Sequence, residues 1–214
     1  MMSAIPGAAA QRLLNCLIAL TMLSLLTWNN AARAQVSEPE QLVRNMTAQV
    51  MADIEKDPAL RAGDRRKALS LAEEKILPHV DFAEATRLAA GRSWNAATPE
   101  QRGRLTSEFR AMLVRTYSTA IDRYRGQKME VMPAKLAPDA TDASIRNRYL
   151  KPGAPPVTVI YAMRKAQDGW KIYDISVEGV SLVLTYRSEF ETIARESGFD
   201  GLIARLVDKN KASR

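Results

Sequence analysis

The 214-residue chain contains one histidine and one cysteine, and that scarcity removes much chemistry at once. Cys16 lies inside an apolar run near the start. If that run is a leader that is cut away, the remaining chain has no disulfide and no thiolate, and cannot build a zinc cluster from the familiar ligand sets. His79 stands alone beside Pro78, a setting that suits a structural or surface imidazole better than a ligand. The sequence has no P-loop, no dinucleotide fingerprint and no nucleic-acid motif. A hydrolase would have to draw on Ser181, Asp174, Glu178 and His79. Yet "EGVSLV" places Val183 where a nucleophile elbow of G-x-S-x-G form needs glycine. Glu73 and Glu74 are paired acids on an otherwise polar helix and read as a solvated face.

What is present begins with that apolar run. Arg12 precedes "LLNCLIALTMLSLLTW", which gives way to "NNAARAQ" with an A-x-A site at Ala32-Arg33-Ala34. A basic start, a short apolar segment and a small-residue exit predict a secretory signal peptide over residues 1–34, cleaved near Ala34/Gln35. The run is short for a bilayer span. Cleavage removes Arg12 and Arg33 and no acid, so a formal charge of +7 becomes +5. The mature part, residues 35–214, has the length of one domain. A basic exported protein of this kind is expected to meet anionic headgroups or acidic protein surfaces, not nucleic acid. Arg61, Arg65, Arg66, Arg102, Arg110 and Arg123 are candidates for that role.

Periodicity sets out the elements. Ser37 and Glu40 have capping-box spacing ahead of a helical stripe of Val43, Met46, Val50 and Ile54. A second helix covers "GDRRKALSLAEEKIL" and stops at Pro78, which cannot donate to the helix ladder. A short third helix ends at Gly91. In the fourth, Thr98, Pro99 and Gln101 supply cap, first turn and capping box. Leu105, Phe109, Met112, Leu113, Thr116, Tyr117, Ala120, Ile121 and Tyr124 then form a stripe that needs a broad apolar surface opposite. The period next changes to two. Strands are predicted near 128–136, 142–149, 156–165 and 169–178, joined by short turns that favour an antiparallel meander. Val157, Val159, Tyr161 and Met163 share one strand face. Tyr173, Ile175 and Val177 share another, opposite Trp170 and Ile172. After Gly179 the chain is expected to re-enter a helix through "VSLVLTYRSEF", with a last helix over "DGLIARLVDKN". Helices, meander, helices: the fold class is α+β. The apolar surfaces make either one ordinary core or the lining of a ligand cavity.

Four blocks in order, "ILPHVDF", "GRSWNAATPEQRGRLTSEFRAMLVRTY", "GWKIYDISVEGVSLVLTYRSEF" and "GFDGLIARL", resemble the MlaC or toluene-tolerance family over about residues 40–210. The resemblance implies a four-stranded sheet of NTF2-like or cystatin-like character, packed with helices around an apolar cavity. It further implies a periplasmic phospholipid-binding shuttle with no catalytic activity and no cofactor beyond its cargo. Its partners would be phospholipid, an inner-membrane ABC transporter with an MCE-domain subunit, and an outer-membrane lipoprotein–porin complex, with the carrier itself a monomer. On this reading the lining comes from Leu77, Phe82, Leu113, Tyr117 and Val131, the strand residues Val157, Val159, Tyr161, Met163, Tyr173, Ile175 and Val177, and Val180, Val183 and Tyr186. Segment Val180–Leu184 would cap one end. Hopanoid cargo, an exported pocket hydrolase and a non-carrier envelope interaction module stay open as alternatives.

Overall fold

The computed structural model describes residues 36–117 and 127–212. The expected leader lies outside the described residues, as do Ala120, Ile121, Arg123 and Tyr124 of the long-helix reading. Helix α1 spans Glu38–Lys56, with Pro39 and two acids in its first turn. The capping box expected at its start does not form, because Ser37 makes no side-chain cap bond. Glu40 is buried and serves another purpose: it pairs with Arg44 at 2.6 Å and accepts the Ala134 amide at 3.0 Å. Charge-assisted bonds to a cation and a distant amide outweigh one cap bond, so α1 is tied to the segment after the first strand.

Asp57 caps α2, Pro58–Ala62, a short helix that the apolar period did not reveal, and Asp64 caps α3, Arg65–Lys75. Pro78 sits in a 3-10 turn, Leu77–His79, as the helix-stop reading requires. Helix α4, Phe82–Ala90, is capped by Asp81 and ends at Gly91 with φ +58°. A second 3-10 turn, Gly91–Ala96, leads to α5, Pro99–Tyr117. There the capping box is reciprocal: Gln101 N donates to Thr98 Oγ1 at 3.2 Å, and Thr98 N donates to Gln101 Oε1 at 3.0 Å.

The sheet is an antiparallel meander in the order β1-β2-β3-β4-β5. It comprises β1 Lys128–Val131, β2 Asp142–Leu150, β3 Val157–Ala166, β4 Gly169–Val177 and β5 Val180–Ser181. Five strands replace the expected four, and β1 stops at Val131, short of 136. The fifth strand arises where a direct turn into a helix was expected. Glu178 and Gly179 have φ of +50° and +82°, the two consecutive positive values of a tight hairpin turn, and the chain folds back for two residues. A 3-10 turn, Leu184–Tyr186, then leads into α6, Arg187–Ala212, broken into two helical arms at Gly198.

A second correction concerns β4. Met163 pairs with Ile172, but Ala162 pairs with Asp174, so Tyr173 is an extra residue at a bulge. One inserted residue reverses the alternation. Trp170 and Ile172 therefore share the inner face with Ile175 and Val177, contrary to the plain period-two reading.

Packing divides into three apolar clusters. Ile145, Val159, Tyr161, Met163 and Ile172 of the sheet pack with Val43 and Met46 of α1. Leu105, Phe109 and Met112 of α5 pack with Phe190, Leu202 and Ile203 of α6. Phe109 anchors that helical core, with edge-on rings at 5.0 Å to Phe190 and 5.4 Å to Tyr186. Val50, Ile54, Leu60 and Leu71 make the third cluster around α1 to α3.

Candidate functional site: an apolar cavity between helices and sheet

A cavity of about 440 Å³ lies where the three clusters meet and is lined from each of them. Helix α1 gives Met46, Val50, Met51 and Ile54. The linker from α3 to α4 gives Ile76, Leu77 and Val80, α4 gives Phe82 and Ala85, and α5 gives Leu113, Val114 and Tyr117. The sheet contributes Tyr149, Val159, Tyr161, Ile172, Ile175 and Val177, with Tyr173 and Asp174 at the bulge. Leu182 and Val183 close one side.

The polar groups of this wall bond to the protein itself. Thr47 Oγ1 donates to the Val43 carbonyl at 2.5 Å, and the Tyr149 and Tyr161 hydroxyls lie 3.3 Å apart. Asp174 accepts three hydrogen bonds: from Ile175 N at 2.8 Å, from Val183 N at 3.2 Å and from Ser181 Oγ at 2.5 Å. Ser181 Oγ in turn accepts the Leu184 amide at 2.8 Å. Ser181 and Asp174 thus fasten the wall segment Leu182–Val183 to the bulge of β4. Burial pushes the Tyr173 phenol up, and the Arg164 guanidinium stacks on its ring at 5.2 Å. Burial, followed by a hydrogen bond with Tyr117, pushes the Tyr186 phenol up as well. A wall whose polar groups are satisfied internally presents hydrocarbon to whatever enters.

Ten of the fifteen predicted lining residues are brought together here: Leu77, Phe82, Leu113, Tyr117, Val159, Tyr161, Tyr173, Ile175, Val177 and Val183. The other five lie elsewhere. Val131 and Met163 are buried in the sheet core, and Val157 packs beside it. Tyr186 belongs to the helical core. Val180 is 60% exposed on the hairpin. Segment Val180–Leu184 is therefore not a uniform cap: Leu182 and Val183 line the cavity, while Val180 and Leu184 (45% exposed) are open to solvent.

The α1 side of the cavity was missed, although its stripe of Met46, Val50 and Ile54 was legible as a helix face. Tyr149 carried the alternation of β2 with Ile145 and Asn147, and that was the available signal. His79 lies outside the lining, and burial followed by the Lys171 charge lowers its pKa. Two of the candidate docking arginines brace aromatic rings: Arg102 lies 5.3 Å from Trp94, and Arg110 lies 5.5 Å from Phe82. Among the described residues no helix is long and apolar enough to cross a membrane, and no group of three or more His, Cys, Asp or Glu could hold a metal ion.

Comparison with known proteins adds four findings. The family model described as "MlaC protein" matches residues 44–208. The chain is 23% identical over 187 residues to the "Intermembrane phospholipid transport system binding protein MlaC" of Haemophilus influenzae, covering 85% of this chain and 87% of that one. It is 29% identical over 104 residues to the "Toluene tolerance protein ttg2D" of Pseudomonas putida, covering 49% and 48% respectively. Among solved structures, a phospholipid-binding protein from Ralstonia solanacearum in complex with a phospholipid superimposes with a TM-score of 0.74. It shares 34% identity over 83% of this chain and 99% of that one.

Proposed function

The chain belongs to the MlaC family, and from that premise we propose that it is a periplasmic phospholipid-binding shuttle between inner and outer membranes. The observation that carries this reading is the apolar cavity of about 440 Å³, set in a fold shared at 34% identity with a phospholipid-bound protein. Its size is that of small-molecule sites, about 300–1,000 Å³.

The energetics fit the task. Each methylene is worth about 0.8 kcal/mol against water. A chain of about 16 carbons carried bare through water would cost on the order of 12 kcal/mol. The carrier need only replace the bilayer with a comparably dry lining. Acyl chains would lie against Val50, Ile54, Leu113, Val159, Ile175 and Val177, with the headgroup toward solvent.

The same reading includes export by a leader of residues 1–34, removed near Ala34/Gln35, and a mature monomer at residues 35–214. It includes an inner-membrane ABC transporter with an MCE-domain subunit as one docking partner, and an outer-membrane lipoprotein–porin complex as the other. Phospholipid is cargo, and the function calls for neither cofactor nor catalysis. The test is native mass spectrometry of mature protein purified without detergent. Co-purifying phospholipid, exchangeable with added vesicles, supports the carrier. A bare mass with no uptake would leave an interaction module instead.

A further inference from the structure

A second cavity, of about 250 Å³, opens where the end of α4 meets the start of α6, apart from the lipid-type lining. Its walls include Arg87, Gly91, Arg92, Trp94, Asn95 and Arg187. We propose that this cavity is a socket for a single acidic side chain presented by a docking protein.

The electrostatics favour one carboxylate. Arg87 is bidentate to Glu84, with contacts at 2.6 and 2.7 Å, and Arg187 pairs with Glu191 at 3.1 Å. Arg92 is exposed and has no ion-pair partner among the described residues. Glu84 is shared with Arg164, and Arg102 beside Trp94 bonds only carbonyl groups, so guanidiniums outnumber carboxylates around the socket and Arg92 is left to pair with an incoming acid. Guanidinium forks match carboxylates in bidentate geometry.

The socket is also held in shape. Arg102 of α5 donates to the Trp94 carbonyl at 3.2 Å and lies over the Trp94 ring. Gly91 has φ +58°, which favours glycine, and a Cβ there would push aside the Glu191 carboxylate that pairs with Arg187. Preorganised donors lose little entropy on binding.

A membrane is the other anionic partner to weigh. A concave site of about 250 Å³ admits a single side chain to its guanidiniums and not a flat bilayer plane, so it suits one directed pair. Arg187 lies one 3-10 turn, Leu184–Tyr186, beyond the Leu182 and Val183 that wall the main cavity, so a partner gripping the socket grips the chain just past that wall.

The inference does not depend on the cargo. It is tested on the full mature chain by NMR of arginine Nε–H and tryptophan indole signals. The probe is N-acetyl-glutamate N-methylamide, with the glutamine analogue as the uncharged control. The expected result is saturable shifts at Arg92, Arg187 and Trp94 with the acidic probe alone. The paired substitution Arg92→Gln and Arg187→Gln should weaken them about tenfold or more while co-purifying lipid is unchanged. Absence of shifts, or equal shifts at Arg61 and Arg66, would overturn the proposal. So would loss of phosphatidylglycerol-vesicle binding in the paired variant without any response to the acidic probe, which would assign the socket to membranes.

Discussion

A carboxylate placed in the cavity wall should separate folding from cargo, and Val177→Asp is the substitution best placed to do so. Val177 lines the cavity at the end of β4, paired with Val159 on one side and Val180 on the other. It is only half-buried, so in empty protein an aspartate there can stay hydrated. The folding cost is then the lost partial burial of a valine, about 1–1.5 kcal/mol, against a domain stability of roughly 5–15 kcal/mol. Acyl chains filling the cavity would strip water from that carboxylate without giving it a partner, which costs several kcal/mol. Taking about 3 kcal/mol, and about 1.4 kcal/mol per tenfold, lipid affinity falls by more than about a hundredfold. Val159→Asp would act in the same direction, but Val159 is buried, and the fold itself would suffer. The assay is lipid occupancy by detergent-free native mass spectrometry, with circular dichroism to confirm folding. Val180→Asp, on the exposed edge strand of the same hairpin and outside the lining, is the control and should keep its lipid. A folded Val177→Asp protein with wild-type occupancy would refute the assignment of this wall.

The remaining expectations concern the wall segment, acid stability and charge. Backbone amides near 180–187 should exchange faster in lipid-free than in lipid-loaded protein, because filling the cavity restores contacts to Leu182 and Val183; equal protection would make the segment rigid core. Ser181→Ala removes a donor to Asp174 and the acceptor for Leu184 N, so it should cost about 1–2 kcal/mol in denaturant melts and loosen the same amides. Glu84 is held below its ordinary 4.5 chiefly by the hydrogen bond from Arg87, with Arg164 adding to it. Its contribution is therefore fully present above pH 4.5 and is lost as pH falls through the lowered value; Glu84→Gln should flatten that acid limb in pH-dependent melts, and an unchanged limb would count against the assignment. Association with acidic partners should slow as salt rises, for a mature part of formal charge +5, and stopped-flow rates insensitive to ionic strength would contradict it.

The parts of this fold written as local periodicity were legible. The stripe from Leu105 to Tyr117 and the reciprocal cap at Thr98 and Gln101 are properties of neighbouring residues, and they hold in three dimensions. What failed depended on partners distant in sequence. Glu40 has capping spacing from Ser37, yet Ala134 and Arg44 take its carboxylate. The alternation of β4 looks regular until the pairing with β3 inserts Tyr173 as an extra residue. Glu178 gave no warning of a positive φ, because only the return of Val180 onto Val177 requires it. The cavity is harder still to read, since a lining residue and a core residue carry the same apolar pattern. Met163 and Val159 share a face of β3, but the space lies beside Val159 and not beside Met163. Tyr186 was expected beside Val183 in the lining, yet it belongs to the packed rings around Phe109.

The central claim, that acyl chains occupy the space between α1, α5 and the sheet, is tested most directly by paramagnetic broadening. The mature protein would be loaded with a phospholipid carrying a doxyl label on its acyl chain, and its methyl signals compared with those of protein loaded with unlabelled lipid. The account predicts strong broadening of Val50, Ile54, Leu113, Val159 and Ile175, with Leu202, Ile203 and Leu206 of the helical core spared. Broadening confined to surface methyls such as Val180 and Leu184, or centred on the Leu202–Leu206 core, would contradict it.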